Sequence, residues 1–94
     1  MVLQRRKRNF SLPSTAQVTV TTTATLLVTA NRADQMVYLH AKHQVYVGGP
    51  GVTTSTGYLM DNGDKLSMML SDNESLYAIS SSGSGTMQVM VTIN

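Results

Sequence analysis

The chain has 94 residues, of which only 13% are charged, and it contains no cysteine. A chain this short forms one domain that buries roughly 60–65% of its unfolded surface. The composition excludes disulfides and thiolate chemistry, and no run approaches the roughly 18 apolar residues of a membrane span. The charged N-terminus has no apolar stretch behind it, so we do not expect a secretory signal there.

The few charges are unevenly distributed. Four of the seven basic residues lie in one run over residues 5–8, whereas residues 9–94 carry three bases against five acids. We therefore predict an extended basic arm over residues 1–14 and a folded domain over residues 15–94. The weakly charged domain suits a surface that is mostly covered when the protein functions.

After the arm, apolar and polar residues alternate with the period of β-strands. Glycine, asparagine, aspartate and serine clusters separate these segments, and no window has the apolar spacing of a helix. The pattern predicts strands over residues 17–23, 25–30, 35–42, 44–47, 65–71, 75–80 and 86–93, with a short edge strand over 52–56. We therefore predict an all-β fold, a single small β-sandwich of jelly-roll or Ig-like type with about seven to eight strands.

The arm is a candidate partner-binding segment. A basic run beside two apolar side chains can contact an acidic protein surface or nucleic acid, and a solvated tail is the alternative. A protein groove is favoured, because the domain adds neither a basic patch nor stacked aromatics for nucleic acid. The predicted partner-binding residues are Arg5, Arg6, Lys7, Arg8, Phe10 and Leu12.

Metal binding finds weak support. His40 and His43 are the candidate nitrogen ligands, but residues three apart on a strand point to opposite faces. The acidic turns at residues 61–64 and 72–74 lack the ligand spacing of a calcium loop, and such residues commonly bond their own backbone. We expect no metal site.

Catalysis and cofactor binding find no better support. The five carboxylates lie in turns, mostly beside one another, whereas acid–base catalysis needs facing groups in a shielded pocket. The glycine-rich residues 48–51 have neither the following lysine nor the helix of a phosphate-binding loop. We therefore predict that the chain is not an enzyme and binds no cofactor.

Methionines are frequent for a chain of this length, with seven in total. Met68 and Met69 are adjacent, so one lies on each face of a strand, and Met90 points opposite to Val89 and Val91. Apolar groups on the outer face of a sandwich indicate a covered surface, and methionine adapts well to contacts. We predict Met69 and Met90 as self-interface residues.

Short segments in a particular order resemble small accessory virion proteins of tailed bacteriophages. The similarity spans residues 17–94, and the arm is not part of it. The segments are Asn31-Arg32, Val45-Tyr46-Val47-Gly48-Gly49, Gly57-Tyr58-Leu59, Gly63-Asp64-Lys65-Leu66, Leu76-Tyr77-Ala78-Ile79-Ser80 and Val89-Met90-Val91. The resemblance implies a β-sandwich that decorates or cements a capsid, often as a trimer, with the major capsid protein as partner.

We therefore expect a structural virion protein that bridges capsid subunits. It would be made in the host cytoplasm, form homotrimers and lie on the capsid surface, with no membrane association and no nucleic-acid partner. The alternatives are a tail, fibre or head–tail-joint component, a DNA-contacting arm, or a carbohydrate- or host-surface-binding module. The last would place exposed aromatics in one plane, for which Tyr38, Tyr46 and Tyr58 are the candidates.

Overall fold

The computed structural model describes residues 13–93, which form eight β-strands and no helix. The strands pair antiparallel in two four-stranded sheets. They are β1 (Ser14–Val20), β2 (Thr25–Val28), β3 (Gln35–Ala41), β4 (Val45–Gly48), β5 (Tyr58–Met60), β6 (Lys65–Leu70), β7 (Leu76–Ile79) and β8 (Gly85–Ile93). The strand order is β1-β8-β3-β6 in the first sheet and β2-β7-β4-β5 in the second. The predicted all-β sandwich is confirmed.

The strand order identifies the sandwich as a jelly roll. Pairs β1–β8, β2–β7, β3–β6 and β4–β5 are nested, as if one long hairpin with its tip between β4 and β5 were wound on itself. All connections between consecutive strands except the β4–β5 loop cross from one sheet to the opposite one. This nesting is the eight-stranded jelly-roll arrangement, so the structure decides between the jelly-roll and Ig-like alternatives.

Side chains that alternate along the strands fill the core. In β3, Val37, Leu39 and Ala41 are at most 3% exposed, while the intervening residues point outward. The same alternation buries Met87 and Val89 of β8. The core is assembled from Val20, Leu27, Val28, Val37, Leu39, Ala41, Val45, Val47, Met60, Leu70, Leu76, Ala78, Met87 and Val89.

Three turns contain a residue with left-handed backbone, namely Gly63, Asn73 and Gly83. Gly63 has a φ of 98°, as expected for the Asn-Gly sequence between β5 and β6, and its N–H donates to the Ala41 carbonyl at 2.7 Å. Asn73 has a φ of 65° between β6 and β7, and its N–H donates to the Asn31 carbonyl. These bonds tie turns to neighbouring turns and fix the two ends of the sandwich.

The predicted strand over residues 52–56 is wrong. This segment belongs to the β4–β5 loop, in which Val52 is 7% exposed. Its Cγ2 lies within 3 Å of the positions that a Cβ would take at Gly48 and Gly57, so the loop folds closely onto β4. The hydrophobic valine thus serves loop packing rather than strand pairing.

Strand boundaries also differ from the predicted ones. β1 begins at Ser14, inside the predicted arm, and ends at Val20, whereas the alternation predicted residues 17–23. Pairing of Ser14–Gln17 with residues 88–91 of β8 extends the strand where the sequence itself is weakly patterned. β5 was missed because three residues give too short a pattern.

Candidate assembly surfaces

The outer side of the second sheet presents large apolar side chains. Register places Leu26 beside Tyr77, and Tyr46 between Ile79 and Leu59. Paired residues in antiparallel strands share a face. Tyr46, Tyr77 and Ile79 point outward because the residues that alternate with them in β4 and β7 are buried, and pairing places Leu26 and Leu59 on the same side. Leu26 and Leu59 are 41% and 43% exposed. We call this set the uncharged face.

The strands that form the uncharged face have an unusual composition. None of β2, β4, β5 and β7 contains a charged residue, and neither does the loop of residues 49–57. An antiparallel sheet that faces water on one side normally alternates apolar and polar residues. Here Tyr, Ile and Leu take the positions that polar residues would occupy.

The outer side of the first sheet is mixed in character. Met36, Tyr38, Met69 and Met90 lie together on it, because register places Met36 beside Met69 and Tyr38 beside Met90. Tyr38 is 40% and Met69 43% exposed. We call these four residues the methionine face. The predicted self-interface residues Met69 and Met90 therefore lie on one surface, on either side of β3.

A shallow groove of about 830 Å³ crosses all four strands of the first sheet and overlaps the methionine face at Tyr38 and Met90. One wall is the row Thr15, Met90, Tyr38, Ser67, and the other is the row Gln17, Gln88, His40, Lys65. His40 Nδ1 lies 3.1 Å from Gln88 Oε1. The groove thus offers amide, hydroxyl and cationic groups, unlike the uncharged face on the opposite side of the sandwich.

The two histidines do not converge. His40 stands on the outer side of β3, whereas His43 lies in the turn that follows, with its Nε2 3.1 Å from both Ser80 Oγ and the Ser82 carbonyl oxygen. Among residues 13–93, no group of three or more His, Asp or Glu side chains is arranged to hold a metal ion. In the same range, no helix could span a membrane.

The acidic turns use their carboxylates locally. Asp64 Oδ2 accepts the Asp61 N–H at 2.8 Å, and Glu74 Oε1 accepts the Ser71 N–H at 3.0 Å. Asp61 Oδ1 accepts a hydrogen bond from the Gln44 side-chain amide at 2.9 Å. These bonds stabilise turns, as expected for acidic residues at such positions.

The charges of the folded domain lie almost entirely at its two ends. Hydrogen bonding between turns places Arg32 and Asp34 at the end that also holds Asp72 and Glu74. Three acids against one base give this end a net charge of −2. Ser14 pairs with Val91 at the same end, so the chain enters the sandwich there. The predicted partner-binding residues, from Arg5 to Leu12, lie outside the described residues.

The three tyrosines proposed for a carbohydrate-binding plane do not share one. Tyr38 belongs to the first sheet, whereas Tyr46 and Tyr58 belong to the second. Val47 pairs with Tyr58 and Tyr46 with Leu59, so the two tyrosines of the second sheet point to opposite sides of it. These three tyrosines therefore do not form a single aromatic platform.

Sequence reasoning missed the uncharged face. Two runs in the sequence could have indicated an apolar outer side, because no polar residue alternates with the apolar ones in them. These runs are Leu76-Tyr77-Ala78-Ile79 and Leu26-Leu27-Val28. Which strands lie side by side is not visible in the sequence. The convergence of Tyr77 with Tyr46 and Leu59 on one surface therefore required the structure.

Fold and surfaces together define a jelly-roll domain with apolar side chains on both outer sides. No protein-family profile matches the chain, and no curated protein is significantly similar to it. A solved structure of Bacillus endospore appendages, which form a family of disulfide-linked pili, is similar with a TM-score of 0.52. The similarity covers 99% of this chain and 98% of the other at 13% sequence identity. At this identity the likeness establishes the fold.

Proposed function

We propose that the chain is a structural protein that assembles with copies of itself and with a larger partner, and that it has no catalytic role. The observation that carries this proposal is the pair of apolar outer faces. Apolar side chains on both outer sides suit surfaces that other subunits cover, because methionine and tyrosine are enriched at the cores of protein interfaces and charged residues are depleted there. Met69 and Met90, on the methionine face, are the proposed self-contact residues.

The proposed setting is the surface of a phage capsid, where the chain bridges capsid subunits. The sequence resemblance to accessory virion proteins supports this setting, and jelly rolls are frequent in viral shells. The proposed partner is the major capsid protein, which the basic arm contacts through Arg5–Arg8, Phe10 and Leu12. Repetition over a shell multiplies a modest contact by avidity.

A fibre subunit is the second candidate function, favoured by the fold shared with an appendage protein that forms disulfide-linked pili. The present chain contains no cysteine, so any fibre it builds is held by non-covalent contacts. In this alternative the arm and the outer faces contact only other copies of the chain.

Sedimentation and electron microscopy of the purified full chain test the proposal and separate the two settings. Closed oligomers that bind phage heads, and heads that burst at lower temperature without them, support capsid decoration. Extended filaments formed by the chain alone support the fibre. Deletion of residues 1–12 should abolish head binding in the first case. A chain that stays monomeric and binds no shell contradicts both.

A further inference from the structure

We propose that the uncharged face is a second self-contact surface, at which two copies of the chain pack second sheet against second sheet about a two-fold axis. The surface consists of Leu26, Tyr46, Leu59, Tyr77 and Ile79. It lies on the opposite side of the sandwich from Met69 and Met90, and its role as a self-contact rests on the proposed function of self-assembly. The occupant is a second copy of this chain.

Charge distribution identifies the occupant. An apolar surface is best covered by another surface that has no charge to desolvate. On the described residues, the methionine face borders Lys65 and His40. One end of the sandwich carries Asp72 and Glu74 in a turn, and the other carries Asp61 and Asp64. The surface of a neighbouring copy that best meets the requirement is the same face. Self-complementary contact through one patch is what a two-fold axis produces.

Geometry permits this packing. Two sheets stack face to face about 10 Å apart, with outward side chains interdigitating. Gly48 lies in the row of Leu26 and Tyr77, and the space above it is filled by Val52 of the folded loop. The loop of residues 49–57, which has no charge, therefore lies on the outer side of β4 beside Tyr46, and a second copy would pack against this loop as well as against the sheet.

The area of the uncharged face determines how strongly two copies are expected to associate. Four strands about 4.8 Å apart, with outward positions about 7 Å apart along each, give a footprint of about 250 Å² before the loop is added. A standard stable interface buries about 800 Å² per partner. An isolated pair should therefore associate weakly, with a dissociation constant in roughly the micromolar to millimolar range, and gain strength where other contacts hold copies together.

Substitution of Leu59 by lysine, with a neighbouring control, tests the proposal. Leu59→Lys places a charge on the face at a side chain that is 43% exposed, so the fold should tolerate it. We expect the dissociation constant to rise at least about tenfold, because face-to-face packing would remove water from two lysine side chains, one from each copy. The matched control is Tyr58→Lys, on the same edge strand, at a residue 65% exposed that points to the other side of the sheet. It should leave association unchanged.

Sedimentation equilibrium of the full chain over a wide concentration range gives the readout, with circular dichroism to verify folding of each variant. Loss of association in both lysine variants would indicate pairing of edge strands and overturn face packing. Association that resists Leu59→Lys but is lost in Met90→Lys would overturn this inference and leave the proposed function intact. If deletion of residues 1–12 abolishes association and Leu59→Lys does not, the arm rather than the uncharged face makes the contact between copies, and the inference is overturned. A wild-type chain that never associates would overturn both proposals.

Discussion

Replacement of Gly85 by alanine should destabilise the domain because the new methyl group has no room. An added Cβ would lie 2.1 Å from His43 Cβ and 2.3 Å from His43 Cγ, far inside van der Waals contact. The obstacle is the root of a side chain, so a rotamer change cannot remove it. His43 must shift, and its Nε2 then loses the 3.1 Å contacts with Ser80 and Ser82.

The magnitude follows from three contributions. Overpacking costs about 1–3 kcal/mol, and each weakened hydrogen bond costs about 0.5–1.5 kcal/mol. Replacing glycine by alanine restricts the unfolded chain, which offsets about 0.4–1 kcal/mol of this loss of stability. We expect a net loss of about 2–3 kcal/mol in the free energy of unfolding, which lowers Tm by roughly 10–20 °C for a domain of this size.

Thermal unfolding followed by circular dichroism measures the effect, with the chain concentration held fixed because self-association would shift Tm. Gly49→Ala and Gly51→Ala are the matched controls, since nothing lies within 4 Å of an added Cβ at either position. In a His43→Gly background the obstructing Cβ is absent, so Gly85→Ala should cost less than about 1 kcal/mol. Equal losses in both backgrounds would refute the steric explanation.

The core and turns give further predictions, each measured by chemical denaturation. Met60→Ala should cost about 2–5 kcal/mol, because Met60 is 2% exposed, whereas Met69→Ala should cost less than about 1 kcal/mol; equal losses would contradict the assigned orientations. Asn73→Gly should be neutral or stabilising and Asn73→Val destabilising by about 1–2 kcal/mol, because Asn73 has a φ of 65°; the reverse order would contradict this backbone. Gln35→Ala should cost about 1–3 kcal/mol, because the side-chain amide of Gln35, which is 4% exposed, donates a hydrogen bond to the Thr29 carbonyl at 3.1 Å. An unchanged stability would show that water replaces this bond.

Sequence reasoning predicted most strands because their buried and outward residues alternate strictly. β3 is the clearest case, with Val37, Leu39 and Ala41 inward and His40 outward. It failed over residues 52–56, where β-branched residues favour a strand locally but Gly48 and Gly57 allow the loop to pack on β4 instead. Local propensity gives way to tertiary packing in such short segments.

The candidate surfaces were only half predictable. Met69 and Met90 were placed on an outer face from alternation alone, and the register confirms that they share one. Tyr46 could not be assigned to an apolar face, because tyrosine suits both water and contact surfaces and its neighbours in space come from other strands. The jelly-roll order, which brings β7 beside β4, was needed to see the surface.

The symmetry of a contact limits what it can build, and this limit connects the two outer faces. A two-fold contact through the uncharged face is saturated by a pair of copies and cannot by itself produce a trimer, a lattice or a fibre. Any larger assembly therefore needs a second surface on each copy. The methionine face meets this need, since it lies on the opposite side of the sandwich, carries different chemistry and remains accessible in such a pair. Without cysteine the chain has no covalent disulfide link to reinforce either contact. If the proposed assembly forms, its strength comes from the number of weak contacts that each copy makes, which is the regime in which avidity is most effective.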